Sequence, residues 1–390
     1  MRIAIFSDTF PPQTNGVANV AYQSAKNISE LGHKVIVFTV FKRNSISNIS
    51  DSENLKIIRL PSLPALIYPG ERLTIPLGIS FPYIKRFKPD VIHVHTPFSV
   101  GLEGALAAKL FKIPLIGTHH TFYDHYLKHI KLDYNWMKKF SWKCCVGFYN
   151  FCDLAINPSK ALNDALKEKG LKISTEVIRN SINTNLFQPI SSAKEKKLIK
   201  KSFGIENKSV VYMGRLSYEK SIDKVIKAFV LMLDKKPNLK LMLIGDGPEK
   251  QKLKNLVKEL SIKDNVIFTG FLYKNELVRA LRANDVFLSA CKNENMPLSV
   301  AQTMAVGLPL IAVKENGLSE LINEKINGLF CKTDDPEDMA KKTLKLLSSP
   351  ALLKKFGAGS RKMAMKYSDE KITELLIEAY KKIITIKKHG

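Results

Sequence analysis

Two cationic side chains, Arg215 and Lys220, stand five positions apart in Gly214-Arg215-Leu216-Ser217-Tyr218-Glu219-Lys220, directly after the apolar run Val210 to Met213. A guanidinium and an ammonium leaving one strand tip can both reach a diphosphate, the first as a fork and the second as a point charge. Two cations on a surface loop would read the same way, so the spacing carries weight only in company. That company is a second segment, Glu294-Asn295-Met296-Pro297-Leu298, which leads to Gln302 and ends at Gly307 and Pro309. Pro297 suits the first position of a helix, and the glycine and proline mark its exit. Glu294 and Gln302 could hold sugar and ribose hydroxyls, although an acid before a helix is also favoured by the helix dipole alone.

A third segment, Pro11-Pro12-Gln13-Thr14-Asn15-Gly16, joins the apolar run Arg2 to Phe6 to a helical pattern. A glycine here lets backbone approach a phosphate, and the helix start behind it favours negative charge. Most loop glycines merely make a turn. His119 and His120 follow the apolar run Leu115 to Thr118 and could hydrogen-bond a transferring group. Taken alone, they read more simply as structural histidines. A departing diphosphate is stabilised by backbone N–H groups, helix starts, cations or a carboxylate-held metal. The sequence offers the metal-free set, so neither a metal site nor a cofactor is expected.

These segments need a scaffold that ends strands where chemistry is wanted. Apolar runs at Arg2 to Phe6, Val35 to Val40, Val91 to His95, Leu115 to Thr118, Leu154 to Asn157 and Val177 to Arg179 alternate with helical patterns. The alternation weakens in a Ser- and Lys-rich stretch and resumes at Val210 to Met213, Leu241 to Ile244, Val266 to Thr269, Val286 to Ser289 and Leu310 to Val313. Such alternation implies α/β units, each a parallel sheet covered on both faces, with ligands at the carboxyl ends of strands. We expect two doubly wound, Rossmann-like domains facing across a cleft, over 1–186 and 187–366. A last helix over 367–390 is expected to cross back to the first domain.

The chain has 390 residues and 45% apolar composition, enough for two cores, and no apolar run long enough to span a bilayer. Its first residues, MRIAIFSDTF, lack the apolar stretch and small-residue cleavage site of a signal peptide. Five cysteines, an odd number without metal spacing, read as buried hydrophobes of a cytosolic protein. A net charge of +25 suits an anionic membrane surface or simple compositional drift. No nucleic-acid motif accompanies it, so nucleic acid is not an expected partner. Within Lys128 to Cys152, Trp136, Phe140, Trp142, Phe148 and Tyr149 mix with lysines, as in an interfacial helix or a core helix with a basic outer face. The Pro-rich stretch Leu60 to Pro76 could form an acceptor-side loop.

In this order, the segments resemble the family 4 retaining glycosyltransferases of GT-B type. The matches are GRLSYEKSID, LIGDGPEK, NENMPLSVAQTMAVGLP and NGLSELI, and they cover nearly the whole chain. The first half resembles the diacylglycerol glucosyltransferases, through SDTFPPQTNGV, RLPSLPALIYPGERLTIP and VIHVHTPFSVGLEGALAAKLFKIPLIGTHHTFYDHYL. The resemblance implies a metal-independent hexosyltransferase that moves glucose from a UDP-sugar to diacylglycerol or a related lipid. It implies that His120 and Glu294 act at the reacting sugar. Gly16, Arg215, Lys220, Met296, Leu298 and Gln302 would bind the donor. A lipopolysaccharide or polysaccharide acceptor, a mannosyl donor, or a donor-binding protein with weak or no transfer activity are the alternatives. The expected partners are a nucleotide-sugar, a lipid or glycan acceptor and an anionic membrane surface. The expected location is the cytoplasm, peripheral on the inner face of the cell membrane.

The sequence departs from the family pattern at four places. Gln302 stands where a ribose-binding glutamate is usual, and Pro297 where a glycine would offer an N–H. Arg179-Asn180-Ser181-Ile182-Asn183 replaces PNGID, and Ser221 replaces another glycine.

Overall fold

The computed structural model describes residues 1–13, 15–41, 51–65, 72–122 and 134–389. Parts of the Leu60 to Pro76 and Lys128 to Cys152 segments, and the end of the THHTFYDHYL match, lie outside the described residues. The chain divides into two compact units, one of Met1–Ser181 with Asp369–Gly390 and the other of Ile182–Ser368. The division falls at Ser181, where the sequence places the junction after residue 186.

Unit 1 runs β1 (Arg2–Ser7), α1 (Gly16–Glu30), β2 (Lys34–Val40), β3 (Leu55–Leu60), a short β4 (Leu63–Pro64) and β5 (Arg72–Leu73) pair, α2 (Phe81–Phe87), β6 (Val91–Val94), α3 (Ser99–Phe111), β7 (Leu115–Thr118), α4 (Asn135–Asn150), β8 (Leu154–Asn157), α5 (Lys160–Glu168) and β9 (Thr175–Val177). Its sheet has the order β3-β2-β1-β6-β7-β8-β9, and the pairings are parallel. Strands β6, β7 and β8 are buried along their whole length, as a sheet covered on both faces requires. One face packs Phe6 and Phe38 beneath α3; the other packs Ile3 and Ile5 against α1. On that second face lies helix α14 (Asp369–His389), whose Ile372, Leu376 and Tyr380 belong to this core.

Unit 2 runs α6 (Ala193–Ser202), β10 (Ser209–Met213), α7 (Ile222–Leu233), β11 (Lys240–Ile244), α8 (Lys250–Glu259), β12 (Val266–Gly270), α9 (Lys274–Arg282), β13 (Val286–Ser289), α10 (Leu298–Ala305), β14 (Leu310–Val313), α11 (Leu318–Leu321), β15 (Gly328–Cys331), α12 (Pro336–Leu347) and α13 (Pro350–Ala364). Its sheet is also parallel, in the order β12-β11-β10-β13-β14-β15.

Each sheet therefore reverses its winding once, between β1 and β6 in unit 1 and between β10 and β13 in unit 2. Doubly wound sheets bind ligands outside the strand ends at such reversals. The two doubly wound units match the architecture expected from the alternation. The strand placed by sequence at Val177 to Arg179 is instead Thr175–Val177; Ile178 N–H donates to the Asn157 carbonyl and the ladder stops there. Edge strands β3 and β15 carry no clear sequence signal, because Lys56 and Arg59 interrupt the first and the second opens on Gly328 and is only partly buried at Leu329 and Phe330.

Candidate functional site

In unit 2 the loop after β10 and the loop after β11 are stitched by backbone. Leu216 N–H donates to the Asp246 carbonyl at 2.9 Å, and Glu249 N–H donates back to the Leu216 carbonyl at 2.9 Å. Gly245 has a φ of +133°, and a Cβ there would stand 2.0 Å from the Gly214 carbonyl oxygen. Only glycine fits where the LIGDG and GRLS loops meet this closely. Arg215 leaves this seam exposed, and its guanidinium has no ion pair among the described residues. It is a cation held at the winding reversal with its charge unanswered.

Lys220 differs. Its Nζ lies 2.7 Å from Glu294 Oε1, and both side chains are largely buried, at 20% and 15% exposure. Burial alone would lower the amine's pKa, but the Glu294 carboxylate beside it prevails and holds it well above its ordinary value. The pair joins the loop after β10 to the loop after β13. The Cys291 thiol nearby is pushed up to about 12, first by burial and then by Glu294, and stays a neutral hydrophobe.

Glu294 is held from below by its backbone. Gly317 N–H donates to the Glu294 carbonyl at 2.9 Å, and a Cβ on Gly317 would stand 1.3 Å from the Asn295 carbonyl oxygen. The NGLSE segment thus buttresses the ENMP segment and admits no side chain at Gly317. Met296 and Pro297 are buried, and Leu298 is partly buried at the first turn of α10. No side chain caps this helix, so its first amides are available to an anion. Gln302, half-buried one turn on, makes no side-chain hydrogen bond to a described residue. At Ser221 the backbone takes φ 50° and ψ 42°, the left-handed region that explains the glycine usual there.

In unit 1 the winding reversal is tied by Asp8, a residue that the sequence reading leaves unassigned. Its carboxylate accepts from Thr96 Oγ1 at 2.6 Å, Ser99 Oγ at 2.6 Å and the Val100 amide at 2.8 Å. An acid from the loop after β1 thereby caps α3, the helix after β6. Burial raises the Asp8 pKa against these lowering bonds. Beside this tie, α1 is capped by Asn15, which accepts from the Ala18 amide at 2.8 Å. Gly16 is exposed, with nothing within 4 Å of where a Cβ would stand. The start of α1 therefore leaves open space beside Gly16.

His120 sits at the end of β7, buried at 8% exposure, within a group of four buried histidines. His95 Nδ1 lies 3.1 Å from His120 Nε2, with the rings stacked at 11°. His93 meets Tyr380 Oη at 2.7 Å through Nδ1 and Thr118 Oγ1 at 2.7 Å through Nε2. Burial drives the pKa of His93, His119 and His120 down to about 3 and that of His95 well below its usual value. These imidazoles are neutral at ordinary pH. Neither His93 nor His95 is assigned by sequence reasoning, and the signal that could have found them is their alternation at the end of one strand.

Two observations bear on the surface and on metals. Among the described residues no helix is long and apolar enough to cross a membrane. Among them, too, no group of three or more His, Cys, Asp or Glu is placed to hold a metal ion.

Comparison with known proteins adds the following. The model of the family Glycosyltransferase Family 4 matches residues 14–186, and that of Glycosyl transferases group 1 matches residues 194–363. The chain is 33% identical to the alpha-monoglucosyldiacylglycerol synthase of Streptococcus pneumoniae, over 84% of this chain and 74% of that one. It is 26% identical to a GDP-mannose-dependent alpha-mannosyltransferase of Corynebacterium glutamicum, over 86% of this chain and 78% of that one. In fold it is similar to Anabaena HepE in complex with UDP, at a TM-score of 0.79 and 18% identity, covering 98% of this chain and 100% of that one.

Proposed function

The chain belongs to the family 4 glycosyltransferases of GT-B fold, close to the diacylglycerol glucosyltransferases, and we propose that it transfers glucose from UDP-glucose to diacylglycerol, with retention and without a metal. The observation that carries this reading is the exposed, unpaired Arg215 guanidinium at the winding reversal of unit 2, accompanied by Lys220 and the uncapped start of α10. These groups supply the positive charge that a departing UDP requires, the task a metal performs elsewhere. As the bond from the anomeric carbon to the phosphate oxygen breaks, the acceptor hydroxyl oxygen bonds to that carbon on the same face. The acceptor's proton passes to the departing phosphate oxygen. Glu294 holds a sugar hydroxyl, His120 contacts the sugar, and Gln302 holds the ribose.

The lipid acceptor is supported by the surface of unit 1. Leu102, Leu106 and Leu110 are exposed at every fourth position of α3, and Trp136 and Phe140 are exposed on α4. Lys109 on α3 lies 5.3 Å from the Phe151 ring at the end of α4, so basic and apolar groups share this surface. Apolar side chains rimmed by lysines suit the face of an anionic bilayer, with the protein peripheral on its cytoplasmic side. Incubation with UDP-glucose and diacylglycerol in anionic vesicles is expected to give an α-linked glycolipid. Extension of a soluble saccharide without any glycolipid would remove the lipid assignment. A mannosyl donor is the second reading, favoured by the similarity to the mannosyltransferase, and GDP-mannose in the same assay separates the two.

A further inference from the structure

The register of β6 against β7 places two side-chain pairs at the same offset of 25 residues, His93 with Thr118 and His95 with His120. The first pair is on the strands and the second just beyond their carboxyl ends. His95 is 1% exposed, and its other nitrogen, Nε2, is buried without a hydrogen-bond partner among the described residues. A single proton lies between His95 Nδ1 and His120 Nε2, because each neutral imidazole carries one N–H and one lone pair. Two arrangements are then possible. If His120 donates, the proton of His95 must sit on its orphaned Nε2, leaving a buried N–H unsatisfied. If His95 donates, only a lone pair is orphaned there. Orphaned buried N–H groups are the rarer and more costly kind.

We propose that His95 is a positioning residue whose Nδ1–H donates to His120 Nε2, fixing His120 as the Nδ1–H tautomer. His120 then presents a hydrogen-bond donor to the oxygen it contacts, and its Nε2 lone pair is engaged and cannot act as a base. This assignment rests on His120 acting at the sugar as proposed above, and it specifies that contact as a hydrogen bond donated by His120. Burial keeps both rings neutral, with His120 at about 3, so protonation does not intervene at working pH. His93 supports the arrangement from behind: its ring lies 4.3 Å from that of His95, and the hydroxyls of Tyr380 and Thr118 hold it at both nitrogens.

The test combines nitrogen NMR of histidine-labelled protein with kinetics on UDP-glucose and diacylglycerol vesicles. In the unsubstituted protein His120, identified by its loss in His120→Asn, is expected to be protonated on Nδ1 and bare on Nε2. The opposite tautomer in that spectrum overturns the proposal whatever any variant does. His95→Phe should let His120 take the other tautomer and lower kcat by about 10- to 100-fold at a nearly unchanged KM for the donor. His95→Asn, whose amide can replace the Nδ1–H, should recover most of that loss, whereas His95→Gln, which reaches the Nε2 position, should not. Equal loss in all three variants means that His95 merely fills space, and the proposal fails. Full activity in His120→Asn sinks the reading of His120 itself, and the NMR result still decides the tautomer separately.

Discussion

Lys220 Nζ and Glu294 Oε1 stand 2.7 Å apart, so the cation we propose for the diphosphate is already neutralised by the acid we propose for the sugar. A donor must therefore exchange one counter-charge for another at Lys220. Glu294→Gln removes the resident counter-charge and leaves the ammonium to a ligand. The expected result is UDP binding that is unchanged or tighter, with turnover of the UDP-sugar reduced about 100-fold or more. Lys220→Ala should weaken UDP binding and turnover together. Titration calorimetry with UDP and initial rates with the sugar nucleotide check both, and weaker UDP binding in Glu294→Gln would count against the exchange.

Two glycines should respond in opposite ways. Gly317→Ala places a Cβ where the Asn295 carbonyl stands, 1.3 Å away, and is expected to cost about 3 kcal/mol or to displace the Glu294 loop. Gly16→Ala meets nothing within 4 Å and should leave stability unchanged or slightly raised, since alanine favours the helix. Its effect should appear in donor affinity alone. Thermal unfolding and UDP titration of both variants separate the two outcomes.

Gln302 gives a gain-of-affinity prediction. Its amide can bond a ribose diol but lacks the charge that makes such bonds strong. Gln302→Glu should lower the Kd for UDP by about tenfold, close to 1.4 kcal/mol. An unchanged Kd would place this side chain away from the ribose.

The histidine group makes unit 1 sensitive to acid. His93, His119 and His120 are held at about 3 when folded, against 6.5 in the unfolded chain. Between those values the unfolded state binds more protons, so stability is lost as pH falls below about 6.5, at up to ~1.4 kcal/mol per pH unit for each histidine. Asp8, raised by burial, acts in the opposite direction but supplies only one proton. Both tryptophans of the chain, Trp136 and Trp142, lie on α4, so their fluorescence reports unit 1 alone. Urea unfolding at pH 5.5 should show a lower midpoint than at pH 7.5, with the unfolding free energy smaller by up to about 4 kcal/mol. An equal or higher midpoint would remove the histidines as the cause.

Much of this architecture is legible in the sequence because its strands are buried on both faces. Leu115 to Thr118, Leu154 to Asn157, Val286 to Ser289 and Leu310 to Val313 occur as strands over those same residues. Edge strands such as β3 are half solvated and blur into their surroundings. Candidate site residues carried by one segment, such as Arg215 and Glu294, are visible because their signal is local. Asp8 and His95 are not, since their meaning lies in partners about 90 and 25 residues away, fixed only when adjacent strands settle into register.

Helix α14 has one further consequence, for the order in which the chain is made. Tyr380 and Leu376 complete the core that Ile3 and Ile5 begin, so β1, once synthesised, waits for a helix encoded far downstream. Unit 2, continuous from Ile182 to Ser368, has all its parts sooner and can assemble while its older neighbour is still incomplete. Loss of α14, by mutation or protease, would thus strike unit 1, baring Ile3 and Ile5 and depriving His93 of its tyrosine.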